Sequence, residues 1–219
     1  GGGLLLAFDT SKTESEGQID FVSAVDLSAK GQCWNFSEAF EAAPLVYVSH
    51  RSSFFVPKDA GERIPLNNPD FVVAIGPELG FWVTKEYLDV VDFTDPKNPT
   101  ARTPVEIPGQ LRGIGASGAV LYTVGYHYDA NGSTDWMEWL DALAYDGVNA
   151  SLVVSMKLPS EWPHPMLVSH DAVFIGRPES NSTAGTLETW ALGTDVGGTG
   201  KFDLKGIVKL ETRAQELAI

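Results

Sequence analysis

The sequence contains a single cysteine, Cys33, among 219 residues. An internal disulfide and a zinc site built from cysteines are therefore both excluded. No apolar run approaches the length of a membrane span, so we expect no insertion into a membrane. Residues 1–8 are apolar but lack a basic region and a cleavage site, and we do not expect them to act as a signal peptide.

Basic residues are also scarce, because 15 Lys and Arg stand against 29 Asp and Glu, which gives a formal net charge of −14. An acidic surface repels phosphate backbones, so we expect no nucleic-acid partner. By contrast, the chain is rich in turn-forming residues, with 22 glycines and 13 prolines. This composition favours many short elements joined by turns over long helices.

Four segments repeat one pattern, in which a small-residue turn, an apolar strand and a polar loop precede a second strand that ends near an acidic turn. The first strands lie at 4–8, 45–49, 120–124 and 173–176, and the second strands at 19–27, 87–93, 139–145 and 187–192. Weaker strands on either side complete a unit of four, A to D, with B and C central. Once an insertion in the second copy is set aside, the spacing falls to about 50 residues, the size of a propeller blade.

The sequence therefore predicts an all-β fold of β-propeller blades, each of four antiparallel strands. The four predicted blades span residues 1–34, 35–108, 109–159 and 160–213, with 56–81 as an inserted B–C loop that holds a short hairpin of its own. The tail 214–219 matches a missing A strand of the first blade, so the blades form either a closed ring or part of a larger propeller. The predicted core comprises Leu45, Tyr47, Val90, Val91, Leu121, Val124, Leu143, Val154, Phe174, Ile175 and Leu192.

The most specific motif lies in residues 87–109, YLDVVDFTDPKNPTARTPVEIPG. This segment resembles the LVIVD-type propeller repeat, and the chain is similar to the C-terminal propeller of large secreted bacterial proteins. Pro96 and Pro99 stiffen the turn between strands C and D, where Asp95 can accept hydrogen bonds from backbone N–H groups. The other copies lack this turn. The resemblance implies a propeller and an extracytoplasmic or secreted location, and it brings no catalytic residue.

The longest loops connect strands B and C, at 56–81, 127–136 and 177–186, and long loops in compact domains often bind ligands. Histidine, arginine and aromatic side chains on this loop face could recognise a carboxylate or a sugar. The alternative is that they bond neighbouring loops and shield the core. The candidate ligand-binding residues are His50, Arg51, Tyr126, His127, Tyr128, Trp136, Trp162, His164 and Arg177.

One loop carries oxygen donors at alternate positions: Asp129, Asn131, Ser133 and Asp135. This spacing suits a hard cation such as Ca²⁺, which binds carboxylate, amide and hydroxyl oxygens. The alternative is a polar turn capped by its own side chains. We expect no other cofactor.

Acidic residues recur on the C strands, at Asp89, Asp92, Asp141 and Glu188. Paired carboxylates can hydrolyse glycosides, but repetition from blade to blade favours a structural role. We therefore favour a non-enzymatic, extracytoplasmic interaction or scaffold module whose B–C loop face binds a protein or glycan, or further blades of the same larger protein. The alternative is a carbohydrate-active hydrolase or lyase, which would bring at least two acid–base side chains together in one solvent-filled funnel.

Overall fold

A computed structural model of the chain describes residues 3–11, 15, 17–27, 32–34, 36–57, 71–74, 80–127, 138–158, 165–169, 171–178, 184–212 and 217. Over these residues, seventeen strands form four antiparallel sheets. The predicted all-β fold of four blades is confirmed. Within the described ranges, no helix has the length and apolar character needed to cross a membrane.

The first sheet pairs β1 (Leu4–Asp9) with β2 (Asp20–Asp26), as the first repeat predicts. Side chains alternate between its two faces, so Leu5 and Val25 point inward while Leu4 and Leu6 are exposed. This sheet has two strands over the described residues rather than the four of a full blade. Most of the tail 214–219 lies outside those residues, so its role as the missing A strand stays a prediction.

The second sheet is built on two long central strands, β5 (Leu45–Pro57) and β7 (Gly80–Asp92), which pair along their whole length. Short strands in succession fill its edge positions. Along β5 these are β3 (Gln32–Trp34) and β4 (Phe40–Ala42), and along β7 they are β6 (Phe71–Ala74), β8 (Thr100–Ala101) and β9 (Val105–Ile107). Strand β6 lies in the predicted insertion and pairs with Phe81–Thr84 of β7, so the second strand of this hairpin lies mostly beyond the predicted bounds 56–81.

One predicted strand lies in a different sheet. Residues 32–34 are expected to end the first repeat, but as β3 they pair with Arg51–Ser53 of β5. The reason is the length of β5, because β4 covers only Leu45–Tyr47 and the far half of β5 needs a second partner.

The third and fourth sheets are regular four-stranded meanders in which each strand pairs with the next. The third sheet comprises β10 (Gln110–Ile114), β11 (Val120–Tyr126), β12 (Glu138–Tyr145) and β13 (Ala150–Lys157). The fourth sheet comprises β14 (Met166–Ser169), β15 (Ala172–Pro178), β16 (Gly185–Thr194) and β17 (Gly200–Leu210). Both sheets have the predicted order A to D.

An aspartate organises the C–D turn of each of these larger sheets. Asp95 accepts a hydrogen bond from the Lys97 backbone N–H at 3.0 Å, as the motif predicts. Asp146 and Asp195 each accept two backbone N–H bonds, at 2.7 to 2.8 Å. A hydrogen bond from the Asn98 side chain lowers the pKa of Asp95, and backbone N–H bonds lower that of Asp146. The aspartates that follow the C strands therefore stabilise the C–D turns by accepting backbone hydrogen bonds.

The first two sheets form one compact unit and the last two form another. In the first unit, Val25 and Leu27 pack on Val91 of β7, with Leu5, Phe36 and Phe93 around them. The Ser23 hydroxyl also donates a hydrogen bond to the Pro96 carbonyl oxygen, at 2.8 Å.

In the second unit, the third and fourth sheets pack face to face. The buried residues between them are Tyr122, Val124, Leu140, Ala142, Leu158, Val173 and Ile175. Strand β10 lies against β14, where a Cβ on Gly113 would lie 2.3 Å from the Val168 Cβ. Glycine is needed there because the two sheets approach too closely for a side chain.

Most of the predicted core is buried. The fully buried members are Tyr47, Val90, Val91, Leu121, Val124, Leu143 and Ile175. Leu45, Val154, Phe174 and Leu192 are half-buried instead.

Candidate functional site

The three larger sheets carry a carboxylate at one shared position of the C strand. Asp89 lies opposite Val48, Asp141 opposite Thr123, and Glu188 opposite Ile175. In each sheet the residue before that B-strand partner is aromatic: Tyr47, Tyr122 and Phe174. The register therefore makes these three C-strand carboxylates equivalent. Each contacts a histidine or arginine side chain from the B-strand side of its own sheet.

In the second sheet the base is His50, whose Nδ1 contacts Asp89 Oδ2. The imidazole is fully buried between the rings of Phe36 and Tyr87, with centroids at 5.7 and 5.5 Å. Its Nε2 has no hydrogen-bond partner among the described residues. The next residue, Arg51, donates from Nε to Glu86 Oε1 at 2.6 Å, so two neighbouring pairs join the middle of β5 to β7.

In the third sheet the base is His127, whose Nε2 lies 2.7 Å from Asp141 Oδ2. The other oxygen of Asp141 accepts a hydrogen bond from the Ser155 hydroxyl at 2.6 Å. The imidazole also stacks on Trp139, with centroids 5.1 Å apart and planes 9° apart. The position equivalent to His50 is Gly125, where an added Cβ would lie 2.5 Å from the Pro108 carbonyl oxygen, so the base comes from further along the strand.

In the fourth sheet the base is Arg177, at the position equivalent to His50. Its Nε donates to Glu188 Oε2 at 2.6 Å. The indole N–H of Trp190 donates to the same oxygen at 2.9 Å. Charge-assisted bonds of this length are the stronger kind, and here they join the B and C strands close to the B–C loop.

This arrangement does not provide an activated nucleophile. In a serine hydrolase the imidazole lies between the acid and the serine and removes the serine proton. Here Asp141 lies between Ser155 and His127, so the hydroxyl donates to a carboxylate instead. Asp141 is also fully buried, which keeps a substrate away from both of its oxygens.

An ionisable group that is absent from the predicted site residues is Glu138, at the start of β12. Burial raises its pKa to about 7, and the charge of Arg112 opposes that shift only in part. Glu138 shares a strand face with the buried residues Leu140 and Ala142. The period-two alternation of EWLDALAY was the available signal, because it places this acid on the core side of the strand.

Five of the nine predicted ligand residues lie in the described ranges. His50, Arg51, His127 and Arg177 each contact a carboxylate, and Tyr126 stands opposite Glu138 with a partly exposed ring. The other four, Tyr128, Trp136, Trp162 and His164, lie outside the described residues.

The predicted calcium ligands Asp129, Asn131, Ser133 and Asp135 also lie outside the described residues, so that site stays a prediction. In the part of the chain that the structure describes, no group of three or more His, Cys, Asp and Glu side chains could hold a metal ion.

No protein-family model, curated protein or solved structure matches this chain. The resemblance to the LVIVD-type repeat therefore rests on the residues quoted above and stays a prediction.

Proposed function

We propose that the chain is a non-enzymatic, extracytoplasmic interaction module that binds a protein or glycan partner through its B–C loop face. The observation that supports this most is the repetition of the base–carboxylate pairs. Three sheets place Asp89, Asp141 and Glu188 in the same register and pair each with a base of its own sheet. A catalytic centre needs one unique arrangement of side chains, whereas a pair that recurs in three sheets is expected to have a structural role in each sheet.

The pairs suit a module that presents loops. In the third and fourth sheets the pair joins the end of the B strand to the C strand beside the B–C loop, which restricts the positions from which the loop starts and returns. In the second sheet the pair lies in the middle of β5 and β7, which stay paired as far as Pro57 and Gly80. In the third sheet this leaves the imidazole of His127 partly exposed on Trp139, and the ring of the preceding residue, Tyr126, is partly exposed as well. Flat rings with polar edges provide contact area for a sugar or a peptide at low entropic cost.

The test is to screen the full chain against arrays of glycans and of secreted proteins, and to incubate the same glycans with the chain to look for bond cleavage. Tyr126→Ala should weaken binding to the selected partner at least tenfold without any change in fold. Val148→Ala is the matched control, because Val148 is an exposed apolar residue in a C–D turn of the same sheet, and it should leave binding unchanged.

One feature favours the enzyme alternative, namely that burial raises the pKa of Glu138 to about 7, towards the range of a glycosidase general acid. Alternation along β12 nevertheless places Glu138 and Asp141 on opposite faces, so the two acids do not flank one bond. Glycan cleavage that is lost in Glu138→Gln would overturn the proposal and establish the hydrolase or lyase.

A further inference from the structure

Two defined sheet faces form the contact within the second unit. We call the face that carries the C-strand carboxylate the acid face, and the face that carries Tyr47, Tyr122 or Phe174 the aromatic face. In the second unit, the aromatic face of the third sheet packs on the acid face of the fourth, through Tyr122 against Val173 and Ile175. In the first unit, the inner face of the first sheet packs on Val91, which lies on the acid face of the second sheet.

The outer face of the first sheet is apolar and exposed. Leu4, Leu6, Phe8 and Phe21 are 65, 49, 51 and 60% exposed, and the two phenylalanine rings meet edge to face at 5.9 Å. Together with Ile19 they expose roughly 500 Å² of apolar surface, a size that marks interaction sites. Strands that are apolar on both faces are normally covered on both.

The aromatic face of the fourth sheet is only partly covered as well. Tyr47 and Tyr122 are 2 and 1% exposed at the shared aromatic position, whereas the equivalent Phe174 is half-buried. On the same face, Leu187 is half-buried and its neighbour Val208 on β17 is 58% exposed. Three apolar side chains of this face, Phe174, Leu187 and Val208, are therefore left without full cover.

We propose that these two surfaces bind each other between copies of this chain, so that the aromatic face of the fourth sheet of one copy packs on the outer face of the first sheet of another. In the second unit, too, an aromatic face packs on a neighbouring sheet, and this contact would use the aromatic face of the fourth sheet in the same way. A standard interface buries about 800 Å² on each partner, somewhat more than half of it apolar, which matches the exposed patch.

Charge favours the same assignment. The strands of the first sheet carry Asp9, Asp20 and Asp26 and no basic residue. Strand β17 carries three lysines and one aspartate, Asp203, which pairs with Lys201 and Lys205 and leaves the strand with a net positive charge. With a net charge of −14, two copies repel each other in most orientations, and this one brings the acidic strands to the lysines. Since the two surfaces differ, the association is head to tail and continues into rings or filaments.

The experiment is sedimentation velocity of the full chain over a range of concentrations. The unmodified chain should form oligomers whose mass rises with concentration, and the variants Leu6→Glu and Val208→Glu should both be monomeric. Mixing these two variants should restore a dimer and nothing larger, because each variant keeps one intact surface. Val148→Glu and Val196→Glu, which place the same charge on exposed turns, should assemble like the unmodified chain.

Three results would overturn the proposal. The first is an unmodified chain that stays monomeric at every concentration, which would assign these faces to another occupant. The second is that Leu6→Glu abolishes assembly while Val208→Glu does not, which would mean that the first sheet of one copy pairs with the first sheet of another. The third is a mixture of the two variants that stays monomeric although circular dichroism shows both to be folded. Should a glutamate variant fail to fold, Leu6→Thr and Val208→Thr should each weaken association about tenfold.

Discussion

The third sheet and the first sheet have similar strands and different surroundings. In the third sheet, Leu121 on the acid face and Leu140 on the aromatic face are both fully buried. In the first sheet, Val25 on the inner face is buried while Leu4 and Leu6 on the outer face are exposed. The sequences of both sheets suit burial on two faces, so the difference between them lies in what covers the second face.

The largest effect should come from truncating the third sheet. Leu140→Ala removes a fully buried side chain between two sheets, and it should lower the free energy of unfolding by about 3 kcal/mol because it leaves a cavity. The matched variant Leu4→Ala in the first sheet should cost less than about 1 kcal/mol, because Leu4 already meets solvent. Urea unfolding of both variants measures the difference. Equal losses would mean that the two sheets are equally covered.

The buried carboxylate of the third sheet should have the next largest effect. Asp141→Asn keeps the shape of the side chain but removes its charge and replaces one acceptor oxygen by an NH2 donor, so at least one of the contacts with Ser155 and His127 must reverse its donor and both lose the charge of the carboxylate. We expect a loss of about 2 kcal/mol in urea unfolding.

The control for Asp141 is Asp203→Asn. Asp203 is paired with Lys201 at 2.8 Å on the exposed strand β17, and its loss should stay within the error of the same measurement. A loss at Asp203 as large as that at Asp141 would remove the distinction between buried and exposed pairs.

A smaller effect, dependent on pH, should come from Glu138. Its pKa is raised from 4.5 in the unfolded chain to about 7 in the folded protein. The folded state therefore binds the proton more tightly, so the contribution of Glu138 to stability is fully present below pH 4.5 and is lost as the pH rises through about 7. Glu138→Gln should abolish that loss, and urea unfolding at about pH 5 and about pH 8 measures it.

A second variant tests the direction in which Arg112 shifts the pKa of Glu138. Arg112→Met removes the charge that lowers the pKa of Glu138, so the decrease in stability should extend to higher pH. A decrease that moves to lower pH would contradict the assignment of the transition to Glu138.

The sequence predicted what is local. Period-two alternation located the central strands, and aspartates with glycines, asparagines or prolines located the C–D turns. It did not predict that His50, His127 and Arg177 contact carboxylates, because cross-strand register is set by the whole sheet and has no local signature. The place of β3 was missed for a similar reason, since it depends on how far β5 extends.

The smallest effect should come from the outer face of the first sheet. Leu6→Thr exchanges a half-exposed leucine for a polar residue that favours strands, and it should change the free energy of unfolding by less than about 0.5 kcal/mol in dilute, monomeric solution. Val25→Thr is the matched variant on the inner face, and it should cost more than about 1 kcal/mol, because it buries a hydroxyl against Val91. Urea unfolding, with sedimentation to confirm the monomer, measures both. If Leu6→Thr cost as much as Val25→Thr, the outer face would be covered within a single copy, and the first sheet would no longer differ from the third.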